Sequence, residues 1–310
     1  MGAIKAPAGA KLYGVNIVPT PTEVGTGVAA WANLHVDWPW DAWIKPQIDS
    51  AASNGIGCNC IRMIGDFLGV FTRLFSQATY NEHWTQLVSY CAKRGVYVIV
   101  TGGDHSQVSE MIDRDIESNV ISLLDALSSF DNVAYVDVMQ EQDAWGVGNA
   151  AARTNAIYAA IKATTSLPLT FSSVRKLTDN DSSGWIESIK TSCDVLDFHI
   201  YKALGYNGTP PFVATDLNRW QATYPDKEMV FGEVGSPESD GEAENRAFVG
   251  NVFKLVARDP RLRSCCLWAA QDQGTTAQLK YGLFDAHWNP RYAFRTALRQ
   301  VTGGSVVRPH

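Results

Sequence analysis

Val133-Ala-Tyr-Val-Asp-Val-Met-Gln-Glu-Gln142 is an apolar run that stops on a carboxylate, and Met229-Val-Phe-Gly-Glu-Val-Gly235 has the same form. Runs this short, rich in Val and apolar on both faces, read as strands covered on both sides, as in a parallel sheet wrapped by helices. Six more segments obey the same rule: Leu12–Val18, Cys58–Ile64, Val96–Thr101, Leu169–Val174, Val195–Tyr201 and Ser264–Ala270. Helical spacing fills the intervals. Trp84, Leu87, Val88 and Cys91 recur at i, i+3, i+4 and i+7, and Phe248, Val252, Leu255 and Val256 form a second such face. Further helices are predicted near 41–53, 118–129, 150–164, 182–191, 212–222 and 290–301, with Gly55 and Gly95 where helices should end.

Eight strands, each followed by a helix, is the count of an α/β single (β/α)8 TIM barrel. No linker or composition shift interrupts the series, so residues 1–310 read as one barrel domain, with 1–10 and 303–310 as peripheral tails. A doubly wound open sheet competes with this reading, but it usually brings a glycine-rich phosphate loop after an early strand, and the chain has no such pattern. Pro19 to Trp38 reads as a connection longer than the ~12–15 residues beyond which loops tend to be functional. In a barrel it lies on the face where active sites are built.

Composition narrows the function. The net charge is −6 and no basic cluster occurs, which argues against a nucleic-acid partner. No apolar run reaches the roughly 18 residues of a membrane span, so a soluble protein is expected. The six cysteines lie within apolar segments at spacings unlike those of a zinc site, and read as small hydrophobes of a reducing compartment. The start, Met1-Gly-Ala-Ile-Lys, lacks the apolar stretch of a signal peptide; a trimmed mature form would look the same, so localisation stays open, as does oligomeric state. Aromatics reach 11%, with Trp31, Trp38, Trp40 and Trp43 close together, and Trp145 further on. Core packing is the default for each, and a sugar platform is the functional alternative.

The barrel makes a sharp test, because chemistry should gather where strands end. Arg62 and Asp66 end the second strand, Asp104 and His105 the third, and Gln140, Glu141 and Asp143 the fourth. His199 and Tyr201 end the sixth, Glu233 the seventh, and Trp268 with Asp272 the eighth. Glu141 and Glu233 then face one another across the mouth. Paired carboxylates are what acetal hydrolysis needs: one protonates the departing oxygen while the other attacks the oxocarbenium-like centre. A lone strand-end glutamate would be read as a solvated residue or an ion-pair partner.

These residues in this order resemble glycoside hydrolase clan A, and within it the cellulase-like family 5, over the whole chain. The resemblance implies an acid/base at Glu141 in Val-Met-Gln-Glu-Gln and a nucleophile at Glu233 in Val-Phe-Gly-Glu-Val-Gly. The family's strand-two Arg is similar to Arg62 in Cys-Ile-Arg-Met, and its strand-six His and Tyr to His199 and Tyr201 in Asp-Phe-His-Ile-Tyr. Its strand-eight Trp is similar to Trp268, and its strand-three His to His105, a residue or two further on. One position departs. The family reads Asn-Glu-Pro, and this chain reads Gln140-Glu141-Gln142, so the amide that meets the sugar 2-hydroxyl in that family is one methylene longer here.

Arg62 is expected to hold Glu233 ionised, Tyr201 to donate to its carboxylate, and Trp268 to stack on a sugar. Asp66, Asp104, Asp143 and Asp272 are candidates for sugar hydroxyls. The implied activity is retaining hydrolysis of β-linked glucan, mannan or related glycosides in an oligosaccharide or polysaccharide, with no cofactor or metal. Two other classes compete. A metal-dependent barrel hydrolase could use Asp104, His105, His199 and Asp272, although the His-x-His usual on the first strand of such barrels is missing from Tyr13-Gly-Val-Asn-Ile-Val18. A carbohydrate-binding barrel without activity would retain the fold and lose the chemistry.

Overall fold

The structure is a computed structural model, described for residues 4–19, 28–52, 56–103, 113–141, 150–173, 193–201, 217–218, 220–236, 241–272, 282–285, 298–299 and 309. Its strands are β1 (Leu12–Ile17), β2 (Cys60–Ile64), β3 (Tyr97–Thr101), β4 (Val133–Asp137), β5 (Leu169–Thr170), β6 (Val195–Tyr201), β7 (Glu228–Gly235) and β8 (Leu262–Leu267). All pair in parallel, in the order β5-β4-β3-β2-β1-β8-β7-β6. The two ends meet beyond the short β5. Ser173 bridges Phe198, its N–H donating to Asp197 O at 3.0 Å while His199 N–H donates to Ser173 O at 2.8 Å, so the sheet closes into the expected barrel.

Helices α1 (Val28–Asp37), α2 (Lys45–Ala52), α3 (Phe67–Phe71), α4 (Gln77–Lys93), α5 (Asp113–Leu127), α6 (Ala150–Lys162) and α7 (Glu242–Arg258) surround it. The Ser76 hydroxyl caps α4 by accepting from Thr79 N–H at 3.0 Å. The helix buries Tyr80, Trp84, Leu87, Val88 and Cys91 on its predicted face, and Gly95 follows its end at φ +64°, a conformation that suits a residue without Cβ. The predicted helix at 182–191 and most of that at 290–301 lie outside the described residues. Among the described residues, no helix is long and apolar enough to cross a membrane. All six cysteines are free and buried.

The Pro19–Trp38 reading needs correction. This stretch contains α1, whose Val-Ala-Ala-Trp-Ala-Asn-Leu-His-Val-Asp sequence is apolar on most sides and so gives no period to read. A π-helical turn at Trp40–Ile44 then leads into α2. There the indole of Trp43 donates to Val18 O at 2.7 Å, and Gln47 both accepts from Val18 N–H and donates to its carbonyl, fastening the end of β1.

At the other mouth, Ile4 is buried beside Leu12, Cys60, Ile99, Val195 and Cys266, and Lys5 N–H donates to Ala134 O. Above this apolar floor the interior becomes polar: Asn16, Arg62, Asp137, Asp197 and His199 are all buried. Residues two apart on a strand share a face, so Cys60 and Arg62 point inward together, as do Val195, Asp197, His199 and Tyr201. The alternation that builds the floor thus lifts a column of polar groups toward the mouth.

Candidate active site

Arg62 is the hub. Its guanidinium is wholly buried, and a buried charge must be paired or it costs several kcal/mol. Nη1 donates to Asn16 Oδ1 at 2.9 Å and Glu233 Oε1 at 2.7 Å; Nη2 donates to Asp137 Oδ2 at 2.9 Å and Gln140 Oε1 at 3.0 Å. The partners are held in turn. Asn16 Nδ2 donates to the carbonyls of Gly232 and Leu267, and Asp137 Oδ1 accepts from Ser172 N–H. Neighbouring Asp197 accepts from Gly232 N–H and from Tyr135 Oη. Burial, and then the Asp137 charge, push the Asp197 carboxyl well above its usual range. Gly232 has to be glycine: a Cβ there would stand 2.6 Å from an Asp197 carboxylate oxygen.

Glu233 follows Gly232 on β7, beside a register shift against both neighbouring strands, and is 3% exposed. Tyr201 Oη donates to Glu233 Oε2 at 2.5 Å. Burial pushes the Glu233 carboxyl above its ordinary value, and Glu141 adds to the rise; the neighbouring His199 ring, the Arg62 guanidinium and the Tyr201 hydroxyl oppose it. Arg62 acts on this group in the expected direction, favouring the ionised form, but desolvation is the largest effect and the net shift is upward.

Glu141 stands on the turn after β4, at φ +51°, in the left-handed region that a non-glycine residue adopts only when its surroundings hold it there. Its N–H donates to Ser172 Oγ at 3.1 Å. The side chain keeps 14% exposure, and Oε1 lies 2.5 Å from His199 Nδ1. The same nitrogen is 3.6 Å from Glu233 Oε2. Glu141, His199 and Glu233 each bring one polar atom within 4.8 Å of the others.

Of the residues named from sequence, Arg62, Gln140, Glu141, His199, Tyr201 and Glu233 converge on this one spot. Trp268, part-buried beyond β8, has its N–H on Val234 O at 2.9 Å. Asp272 accepts from Gly282 N–H at 2.8 Å, and Asp66 is buried at the start of α3. His105, Asp104, Asp143 and Trp145 lie outside the described residues, as does the Trp31 side chain. The other early tryptophans are spent on packing: Trp38 stacks on His83 with centroids 4.1 Å apart, and Trp40 sets its edge against Tyr90. Asn16, Asp137 and Asp197 were not singled out from sequence. Their signal was there, since each is a polar residue at an inward position of an otherwise apolar strand.

Asp137, Asp197 and His199 also gather one atom each within 4.8 Å. Positive charge already stands among these groups, because the Arg62 guanidinium binds both Asp137 and Glu233. A dication in either cluster would face that cation across a poorly screening interior.

A scan against protein-family models finds no match for the sequence, and neither does a search of curated proteins. Solved structures do match. A variant of a GH5_18 protein from Streptomyces cattleya, in complex with Manβ1-4GlcNAc, superposes with a TM-score of 0.77 at 16% identity, over 94% of this chain and 80% of that one. A GH5_18 protein from Bifidobacterium longum subsp. infantis gives 0.72 at 17% identity, over 97% and 80%. The exo-β-1,4-mannosidase Op5Man5 from Opitutaceae bacterium strain TAV5 gives 0.72 at 15% identity, over 97% and 61%. At such identities the likeness is one of architecture: this chain has the barrel fold of the GH5-type glycoside hydrolases.

Proposed function

We propose that the protein is a retaining β-glycoside hydrolase, with Glu233 as nucleophile and Glu141 as general acid and then base. The observation that carries this reading is the pairing of the two glutamates. One oxygen of each lies within 4.8 Å of one oxygen of the other, a nearest approach that supports a close-set pair. Retaining enzymes hold their carboxyls about 5–5.5 Å apart, whereas inverting ones need ~6.5–9.5 Å to admit a water. The surroundings differ in the required sense. Glu233 is closed in by Arg62 and Tyr201, which leaves a carboxylate fixed for attack, while Glu141 is the more open of the two and can meet a leaving group.

In the first step a Glu233 oxygen bonds to the anomeric carbon as the glycosidic C–O bond breaks, and the Glu141 proton goes to the departing oxygen. Water then gives its proton to Glu141 and its oxygen to the anomeric carbon, releasing Glu233. The substrate class proposed is a β-linked glucan, mannan or related glycoside. The Manβ1-4GlcNAc held by the Streptomyces protein and the mannosidase activity of the Opitutaceae protein support including β-mannosides. Proton NMR of the first-formed products from a panel of aryl β-glycosides tests the mechanism. Retained anomeric configuration is expected; inversion, or no turnover of any glycoside, refutes it.

A further inference from the structure

His199 lies between the two carboxylates and the arginine, with its side chain wholly buried. Its ring is aimed by the backbone, since its N–H closes the barrel on Ser173 O at 2.8 Å. Nδ1 meets Glu141 Oε1 at 2.5 Å, and Nε2 faces Arg62 Nη2 at 3.5 Å. A guanidinium has only N–H groups to offer and does not give up its proton, so a hydrogen on Nε2 would set two donors against each other. The arginine is poorly placed to turn away, because its terminal nitrogens are bound by Asn16, Glu233, Asp137 and Gln140, and Asp137 is itself pinned by Ser172 N–H. Among the described residues, the charged and titratable groups around the ring include Arg62 from β2, Asp137 from β4, Asp197 and Tyr201 from its own strand, Glu233 from β7, and Glu141.

We propose that the Asp137–Arg62 pair locks His199 as a neutral imidazole with its hydrogen on Nδ1, and that this hydrogen occupies Glu141 Oε1 so that Oε2 is the oxygen carrying the proton given to the leaving group. His199 is then a positioning residue, which keeps its hydrogen throughout the reaction. Asp137, without touching substrate, acts through Arg62. The catalytic consequence rests on the glycosidase reading; the tautomer does not.

The test has two arms. In the full chain labelled with ¹⁵N-histidine, the His199 ring is identified among six histidines by its loss in His199→Gln. Hydrogen on Nδ1 and a bare Nε2 are expected at neutral pH. Asp137→Asn should weaken the lock and move the ring toward the Nε2–H form. An imidazolium, or an Nε2–H form in the native chain, overturns the proposal. The second arm is kinetic and keeps the proposal open to refutation if Asp137→Asn fails to fold. An asparagine amide can place an N–H near the Nδ1 position, so His199→Asn should retain on the order of tenfold more kcat than His199→Ala on poor leaving groups, which need the acid, and differ little on good ones. Equal losses on both substrate types overturn the proposal. Because the tautomer is read without substrate, a chain that hydrolyses no glycoside refutes the proposed function and leaves the assignment to the NMR.

Discussion

Replacing Arg62 by methionine keeps most of the side-chain volume and removes the buried cation that Glu233 and Asp137 share. Four acceptors lose a donor: Asn16, Gln140, Asp137 and Glu233. Asp137 is fully buried and Glu233 is 3% exposed, so water cannot replace what is lost. Breaking a buried ion pair from one side costs about 3–5 kcal/mol. Protonation of one carboxyl limits the total, so the same range is expected although two pairs break. With ~2.1 cal/mol/K of unfolding entropy per residue, a chain of 310 residues would melt roughly 5–8 °C lower. The sign of the pH dependence follows from linkage. Carboxyls raised in the folded state bind protons that the unfolded chain has released, so stability falls as pH rises above the ordinary ~4.3 of Glu, and Arg62→Met should steepen that fall. The assay is thermal and urea unfolding at several pH values for Arg62→Met, Asp137→Asn and the double variant. The double variant should cost about 1–3 kcal/mol less than the sum of the singles, since neutral Asn no longer needs the cation. Additive losses, or an Arg62→Met protein within about 1 kcal/mol of the parent, would refute a charge-coupled centre.

Three kinetic outcomes follow from the same geometry. Glu233→Ala should abolish turnover, with azide restoring a glycosyl azide of inverted configuration, whereas Glu141→Ala should spare good leaving groups in the first step; indistinguishable variants would mean the roles are wrong. Gln140→Ala should lower kcat/KM by on the order of 10²-fold, as for one lost transition-state hydrogen bond, and near-parental kinetics would remove Gln140 from the site. The acid limb of kcat/KM should lie above the ordinary glutamate value, because burial raises Glu233, and Tyr201→Phe should move it higher by deleting a donor that opposes the rise; a limb that stays or falls contradicts this.

The barrel was legible because burial on both faces forces a recognisable kind of strand, and eight such strands with helices between them admit few architectures. Strand ends were less legible. The apolar run Val133–Met139 continues past the last paired residue, Asp137, because Val138 and Met139 are buried in the turn as deeply as a strand residue would be. Helix α1 was hidden for a related reason: a helix apolar on most sides gives no period. At the site, the glutamates could be found because two of them end apolar runs on strands that face one another across the mouth, where a lone one would have read as a solvated or ion-paired residue. Asn16, Asp137 and Asp197 were missed because a single polar residue inside a strand looks like noise until the closed barrel brings several such residues together.

Gln140 joins the departure from the family motif to the arginine hub. An arginine can only donate, so the atom 3.0 Å from its Nη2 is the amide oxygen, and the NH2 group is the end left for other partners. A residue at that point then offers hydrogens and no lone pair. Under the proposed function, the sugar hydroxyl it meets must accept. The longer side chain has a physical purpose in this arrangement, since it can hold Arg62 with one end and reach toward the mouth with the other. Asparagine, one methylene shorter, has to give up one contact or the other. Gln140→Asn is therefore expected to stay below the parental kcat/KM even though it restores the family's residue. Parental rates in that variant would show that the extra methylene carries no part of the recognition.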